Sequence, residues 1–174
     1  MPVLCHTLHQ SEDPQGALMR GEILVIGCGN LLAADDGVGL HVVRSLKECP
    51  LPEGVKVIEA GCPGLNLLDL WEGFEKVILV DAVKSGAPPG TVHCFDSGVL
   101  PPREAMPLSS HGINVVDAVE LGRRLGRLPG QLAIVGVEIA SEEAFVEGLT
   151  PAVAEAVPRA RDRVLEEIRK MLST

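Results

Sequence analysis

The sequence predicts an α/β fold: a three-layer sandwich, with a mostly parallel twisted sheet of about five strands and helices on both faces. Three observations predict it. Short β-rich apolar runs alternate with amphipathic stretches along the chain. The clearest run, "KVILVDAV" (76–83), is apolar over most of its length, as a strand covered on both faces must be. The 174 residues suit one domain, and a 46% hydrophobic but only 2% aromatic composition calls for a core of Val, Leu, Ile and Ala.

The elements follow in order. Residues 1–20 are polar, lack an apolar core segment and read as an N-terminal extension, a flexible or loosely docked tail; residues 21–174 read as a single domain. "EILVIG" (22–27) is a short buried strand. "DGVGLHVVRSLKEC" (36–49) brings Val38, Val42, Val43 and Leu46 to near-helical spacing. After the proline loop 50–54, "VKVIEA" (55–60) is a second strand and "GLNLLDLWEG" (64–73) a short helix. The third strand, 76–83, leads through the turn "KSGAPPG" into "TVHCFDS" (91–97), a strand near an edge. The segment 98–110 is too rich in proline to be regular. "GINVVDAVELGRRLG" (112–126) is an amphipathic helix and "QLAIVGVEI" (131–139) another buried strand. In the last element Thr150 can cap and Pro151 suits the first helical position, while Pro158 is expected to kink or restart the helix.

Composition excludes several classes. A net charge of −9 argues against nucleic-acid binding and against an anionic membrane surface. No run reaches the roughly 20 apolar residues of a membrane span. Five cysteines without a C-x-x-C pair argue against a disulfide framework or a zinc knuckle and fit a reducing cytoplasm. A monomer is expected. Cys5, His6 and His9 are weighed as metal ligands against a plain tail, which is the preferred reading.

Ligands of such folds bind beyond the carboxyl ends of the strands. Asn30, Asp35 and Asp36 follow the first strand, Glu59 and Gly61 close the second, Asp81 the third and Glu138 the strand "AIVGVE". The stretch "GCGNLLAADDGVG" (27–39) is therefore the pivotal one. It is not a dinucleotide fingerprint: Gly27 and Gly29 fit, the third glycine is replaced by Leu32, and Asp35 and Asp36 would repel a pyrophosphate. No Walker lysine follows. Asp36, Asp81 and the His111 of "SSHG" make a mixed carboxylate–imidazole set that suits nickel, zinc, iron or manganese. Each has a plainer reading, as helix cap, turn residue or structural histidine. Cys28 or Cys62 as nucleophile lacks a local histidine partner, Ser109 and Ser110 lie outside any nucleophile elbow, and His41 and His93 read as packing or surface residues. Trp71 and Phe74 read as core or edge contacts.

The segments "GCGNLLAADDGVGLHVVRSL", "EAGCPGLNLLDL", "VILVDAV", "SSHGINVVDAVEL" and "IVGVEIA" resemble, in type and order, the hydrogenase maturation proteases, over roughly Glu22 to Leu172. Three features depart from the family pattern: the thiol of Cys28, "GCPG" where "GTPG" is commoner, and the N-terminal extension. The resemblance implies an endopeptidase that trims the C-terminus of a nickel-iron hydrogenase large-subunit precursor after nickel insertion. It implies that Asp36, Asp81 and His111 are the catalytic, metal-recognising residues, and that the nickel is supplied by the precursor, with zinc or cadmium able to substitute in vitro. The alternative is a nickel-dependent docking or chaperone protein for the same precursor without peptidase activity. Whether an aspartate serves as general base is left open.

Overall fold

The computed structural model describes residues 19–106 and 113–174. Nine regular elements alternate along it: β1 (Met19–Cys28), α1 (Val38–Lys47), β2 (Val55–Gly61), α2 (Leu67–Leu70), β3 (Phe74–Val83), β4 (Val92–Asp96), α3 (Val115–Leu125), β5 (Gln131–Glu138) and α4 (Pro151–Leu172). Short 3₁₀ turns at Ala34–Gly37, Gly64–Asn66 and Arg103–Ala105 join them. The strand β1 begins at Met19, inside the segment that reads as an extension. The 3₁₀ turn at 103–105 adds a little regularity to the proline-rich stretch.

The strands form one sheet in the order β2-β1-β3-β5-β4. Four run parallel, and β4 lies antiparallel to β5 at the edge. Successive side chains of a strand point to opposite faces, so each central strand feeds two cores. Ile23, Val25, Ile78, Val80, Val135 and Val137 face α1 and α4. Leu24, Ile26, Val77, Leu79, Leu132 and Ile134 face α2 and α3. The helices seal these faces with Val42, Val43, Leu46, Val164 and Ile168 on one side, and Leu67, Trp71, Val115 and Val119 on the other. Trp71 is buried and donates its indole N–H to the Arg127 carbonyl at 2.9 Å, which satisfies the one polar atom it brings inside.

Helix ends follow local chemistry. Asn114 caps α3 by accepting from the Asp117 amide at 3.0 Å, while Asp117 accepts from the Asn114 amide at 3.1 Å, and Gly126 closes the helix in the left-handed region at φ 67°. Two expectations for α4 are corrected. The helix runs without interruption through Pro158. Pro158 and Ala154 both lie on the exposed face, so the carbonyl left without a donor meets water, while Val153, Ala156, Ala160, Val164 and Ile168 hold both halves to the sheet. Thr150 does not cap with its side chain; its hydroxyl donates to Asp35 instead.

At Gly39, α1 crosses the sheet in near-backbone contact. A Cβ there would lie 2.2 Å from the Cys28 carbonyl oxygen and 2.4 Å from that of Val80. Only glycine permits this approach, which brings the turn before α1 against the ends of β1 and β3. No helix among the described residues is long and apolar enough to cross a membrane.

Candidate active site

The sheet reverses its direction of growth between β1 and β3: β2 lies on one side of β1, and β3 and β5 lie on the other. The chain leaving β1 turns into α1 on one face, while α2 and α3 cover the opposite face. Such a reversal opens a crevice at the carboxyl ends of the strands. A small cleft lies there. Its walls are Cys28 and Gly29 from the end of β1, Gly61 to Gly64 and Leu67 after β2, and Ile113 to Val115 at the start of α3. Asp36 and Asp81 are its two acids.

The adjacent acids Asp35 and Asp36 have different surroundings. Asp35 is wholly buried and serves as a tie between segments. Its Oδ2 accepts from the amides of Ala140 and Ser141, both at 3.0 Å, and from the Thr150 hydroxyl at 2.9 Å; its Oδ1 accepts from the Thr150 amide at 2.6 Å. Asp36, one residue on, turns to the cleft and accepts from the Asn30 amide at 2.9 Å. Neither acid caps α1 with its side chain. The turn that presents them depends on Gly29 at φ 130°, where a Cβ would lie 2.0 Å from the Asp36 carbonyl oxygen.

Asp81 occupies an inward position of β3, in the alternation Val77, Leu79, Val83 that builds the core under α2 and α3. It is 6% exposed, and its Oδ1 accepts from the Ala82 amide at 2.8 Å. Burial, reinforced by the nearby Asp36 charge, pushes its carboxyl up to about 8. Burial also raises Asp36, the Asn30 amide pulls it down, and Glu142 adds to the rise. Among the described residues, no cation is among the causes acting on either acid. Burial thus raises both acids of the pair, and the charge of Asp36 adds to the rise at Asp81.

The other residues singled out in the sequence have different assignments. Glu59 pairs with Arg44 at 2.8 Å and Lys47 at 3.0 Å, which hold its carboxyl below the usual range; it fastens α1 to β2. Glu138 is buried away from the cleft and accepts from the Ser85 hydroxyl and the Gly86 amide, each at 2.8 Å, with His93 Nε2 at 3.1 Å. It organises the turn after β3. Cys28 and Cys62 both line the cleft. Burial and the two aspartates push both thiols up, which opposes a nucleophilic role. His41 is on α1, where burial and Arg44 lower its pKa. His111, Ser109 and Ser110, like Cys5, His6 and His9, lie outside the described residues. Among the described residues, no group of three or more His, Cys, Asp or Glu could hold a metal ion. Asn114 is a cleft residue that the sequence reading passed over; its capping pattern N-x-x-D in "NVVD" was a usable signal.

Comparison with known proteins agrees with this architecture. A family model described as hydrogenase maturation protease matches residues 40–167. The chain is 31% identical over 150 residues to the hydrogenase 2 maturation protease of Escherichia coli, covering 85% of this chain and 91% of that protein. It is 35% identical over 161 residues to the coenzyme F420 hydrogenase subunit delta of Methanothermobacter thermautotrophicus, covering 84% and 94%. Among solved structures, the hydrogenase maturating endopeptidase HybD from E. coli superposes with a TM-score of 0.73 at 29% identity, covering 86% of this chain and 93% of that one. By the extent of these matches and by its five-stranded sheet, the chain belongs to the hydrogenase maturation protease family.

Proposed function

We propose that this protein is an endopeptidase that removes the C-terminal peptide of a nickel-iron hydrogenase large-subunit precursor after nickel insertion, and that it recognises the nickel already bound in that substrate. The observation that carries this reading is the pair Asp36 and Asp81 in one cleft at the carboxyl edge of the sheet, Asp81 raised by burial and by the charge of Asp36. Family membership gives the pair its chemical context.

Two carboxyls in a shared, desolvated cleft resist double ionisation. A divalent cation presented by the substrate removes that resistance, because its attraction favours the charged form of both. Asp81 then gives up its proton and both acids become ligands, with His111 as the third. A precursor without nickel supplies no such attraction. The bonds to the metal thus distinguish loaded from unloaded substrate, and they hold the tail where its peptide bond can be hydrolysed.

Mass spectrometry of nickel-loaded precursor incubated with the protein tests the reading. The expected result is a large subunit shortened by its tail, no shortening of nickel-free precursor, and a rate lower by at least about 10²-fold for Asp36→Ala. Full processing by that variant, or equal processing of nickel-free precursor, overturns the proposal. Binding of loaded precursor with no loss of mass would assign the protein to docking alone.

A further inference from the structure

We infer that Phe145, with Leu32 and Val146 beside it, anchors the hydrogenase precursor at the rim of the Asp36–Asp81 cleft, and that the precursor meets it with an apolar depression edged by basic side chains. The inference rests on the proposed substrate.

The chain has only three Phe, one Trp and no Tyr, and Phe145 is 92% exposed. Its backbone is left-handed at φ 64°; among the described residues the only other non-glycine with positive φ is Ala34, at 48°. A bulky side chain in that region is strained. The two strained residues lie on two segments bound to each other. The Phe145 amide donates to the Leu32 carbonyl at 2.6 Å, the Ala34 amide donates to the Val146 carbonyl at 2.7 Å, and Asp35 ties the same loop through Ala140, Ser141 and Thr150. Strain of this kind persists where the surrounding bonds over-determine the backbone, and it gathers at ligand clamps. One segment carries Asp36 and the other carries Phe145, so the backbone that bears the aromatic ring is tied to the turn that bears Asp36.

Folding gains little from Phe145, since its ring buries almost no area and its backbone is strained. Leu32 at 50% and Val146 at 38% exposed extend the apolar surface around it. An exposed aromatic on a rigid support has the character of an interface anchor. The flanks select the partner. Glu142, Glu143 and Glu147 are all exposed within three residues of Phe145, and among the described residues only Glu142 of the three has an ion-pair partner, Lys84 at 2.5 Å. A second copy of this chain, with its net charge of −9, would bring like charges together there. Glu142 of this loop acts on Asp36 through its charge, so a partner that reaches Asp36 comes within the field of these acids, and basic side chains on it would be drawn in.

Phe145→Asn tests the inference, because asparagine tolerates the left-handed region and the variant keeps its fold. With nickel-loaded precursor, the expected result is a KM raised about tenfold or more, a kcat within about twofold of wild type and a melting temperature no lower than wild type. Wild-type KM is expected to rise with salt, and the Glu143→Gln/Glu147→Gln variant to weaken that rise. An unchanged KM for Phe145→Asn overturns the inference while leaving the peptidase reading intact. If wild type binds the precursor without shortening it, the peptidase reading fails, and the anchor is judged by Kd: a tenfold loss supports it and an unchanged Kd overturns it. A wild-type dimer in sedimentation that Phe145→Asn dissolves would also overturn it.

Discussion

At Asp35, four donors meet one carboxylate, and all of them come from residues more than a hundred positions away. That distance explains why the sequence could single out Asp36 as a candidate ligand but could not foresee that its neighbour Asp35 ties distant loops together. Asp81 was easier to place, because an acid ending an apolar run must lie at the edge of the sheet. Its inward position sets a pH dependence of stability. Its folded carboxyl, near 8, lies above its ordinary value of 3.8. Between those two values the folded state holds a proton that the unfolded chain releases, so the contribution of Asp81 to stability is full at low pH and declines until pH passes about 8. Asp81→Asn keeps an acceptor for the Ala82 amide and removes the titration. The variant is expected to melt several degrees above wild type at pH 8.5, with the difference narrowing toward pH 4. Calorimetry across that range checks it; parallel melting curves for the two proteins at every pH would refute the assignment.

Helix α4 shows what local rules can and cannot say about an element. Its start at Pro151 and its apolar stripe were legible from spacing alone. Its continuity through Pro158 was not, because it depends on which way the ring faces, and that is decided by packing against α1 and the sheet rather than by neighbours in sequence. The exposed Ala154 carbonyl has water in place of its missing donor, so the proline is tolerated at reduced expense. Pro158→Ala restores the helical hydrogen bond but gives the unfolded chain more freedom, an effect of about 0.4–1 kcal/mol. Since an interior proline disfavours a helix by about 3 kcal/mol, a net gain of at most about 2 kcal/mol is expected once the unfolded-chain effect and the exposed position of the ring are set against it. Urea denaturation measures it, and a loss of stability would mean that Pro158 fits its site better than the backbone argument allows. The edge strand β4 was legible as a strand near an edge, whereas its antiparallel direction was not, since that depends on the route of the 84–91 turn.

Across the whole molecule, the position of the cleft follows from the order of the strands. Alternation of runs is enough to foresee a parallel-rich sheet, and the carboxyl-edge rule then points to Asp36 and Asp81, which share the cleft, but the reversal beside β1 appears only when the strands are arranged in space. The fold around that cleft is held by two aliphatic cores, one under α1 and α4 and one under α2 and α3. The site adds little to them: Asp81 is buried at a penalty, and Asp36 is bound to a single loop amide. A metal resident in the free protein would stabilise it by mass action, and chelation would reverse that gain. If nickel instead arrives with the precursor, the free protein has no such gain to lose. Its melting temperature is therefore expected to change by less than about 1 °C when it is dialysed against EDTA. A larger fall that added nickel or zinc restores would make the ion a resident of this chain. Recognition of the substrate's metal would then need a different set of ligands from Asp36, Asp81 and His111.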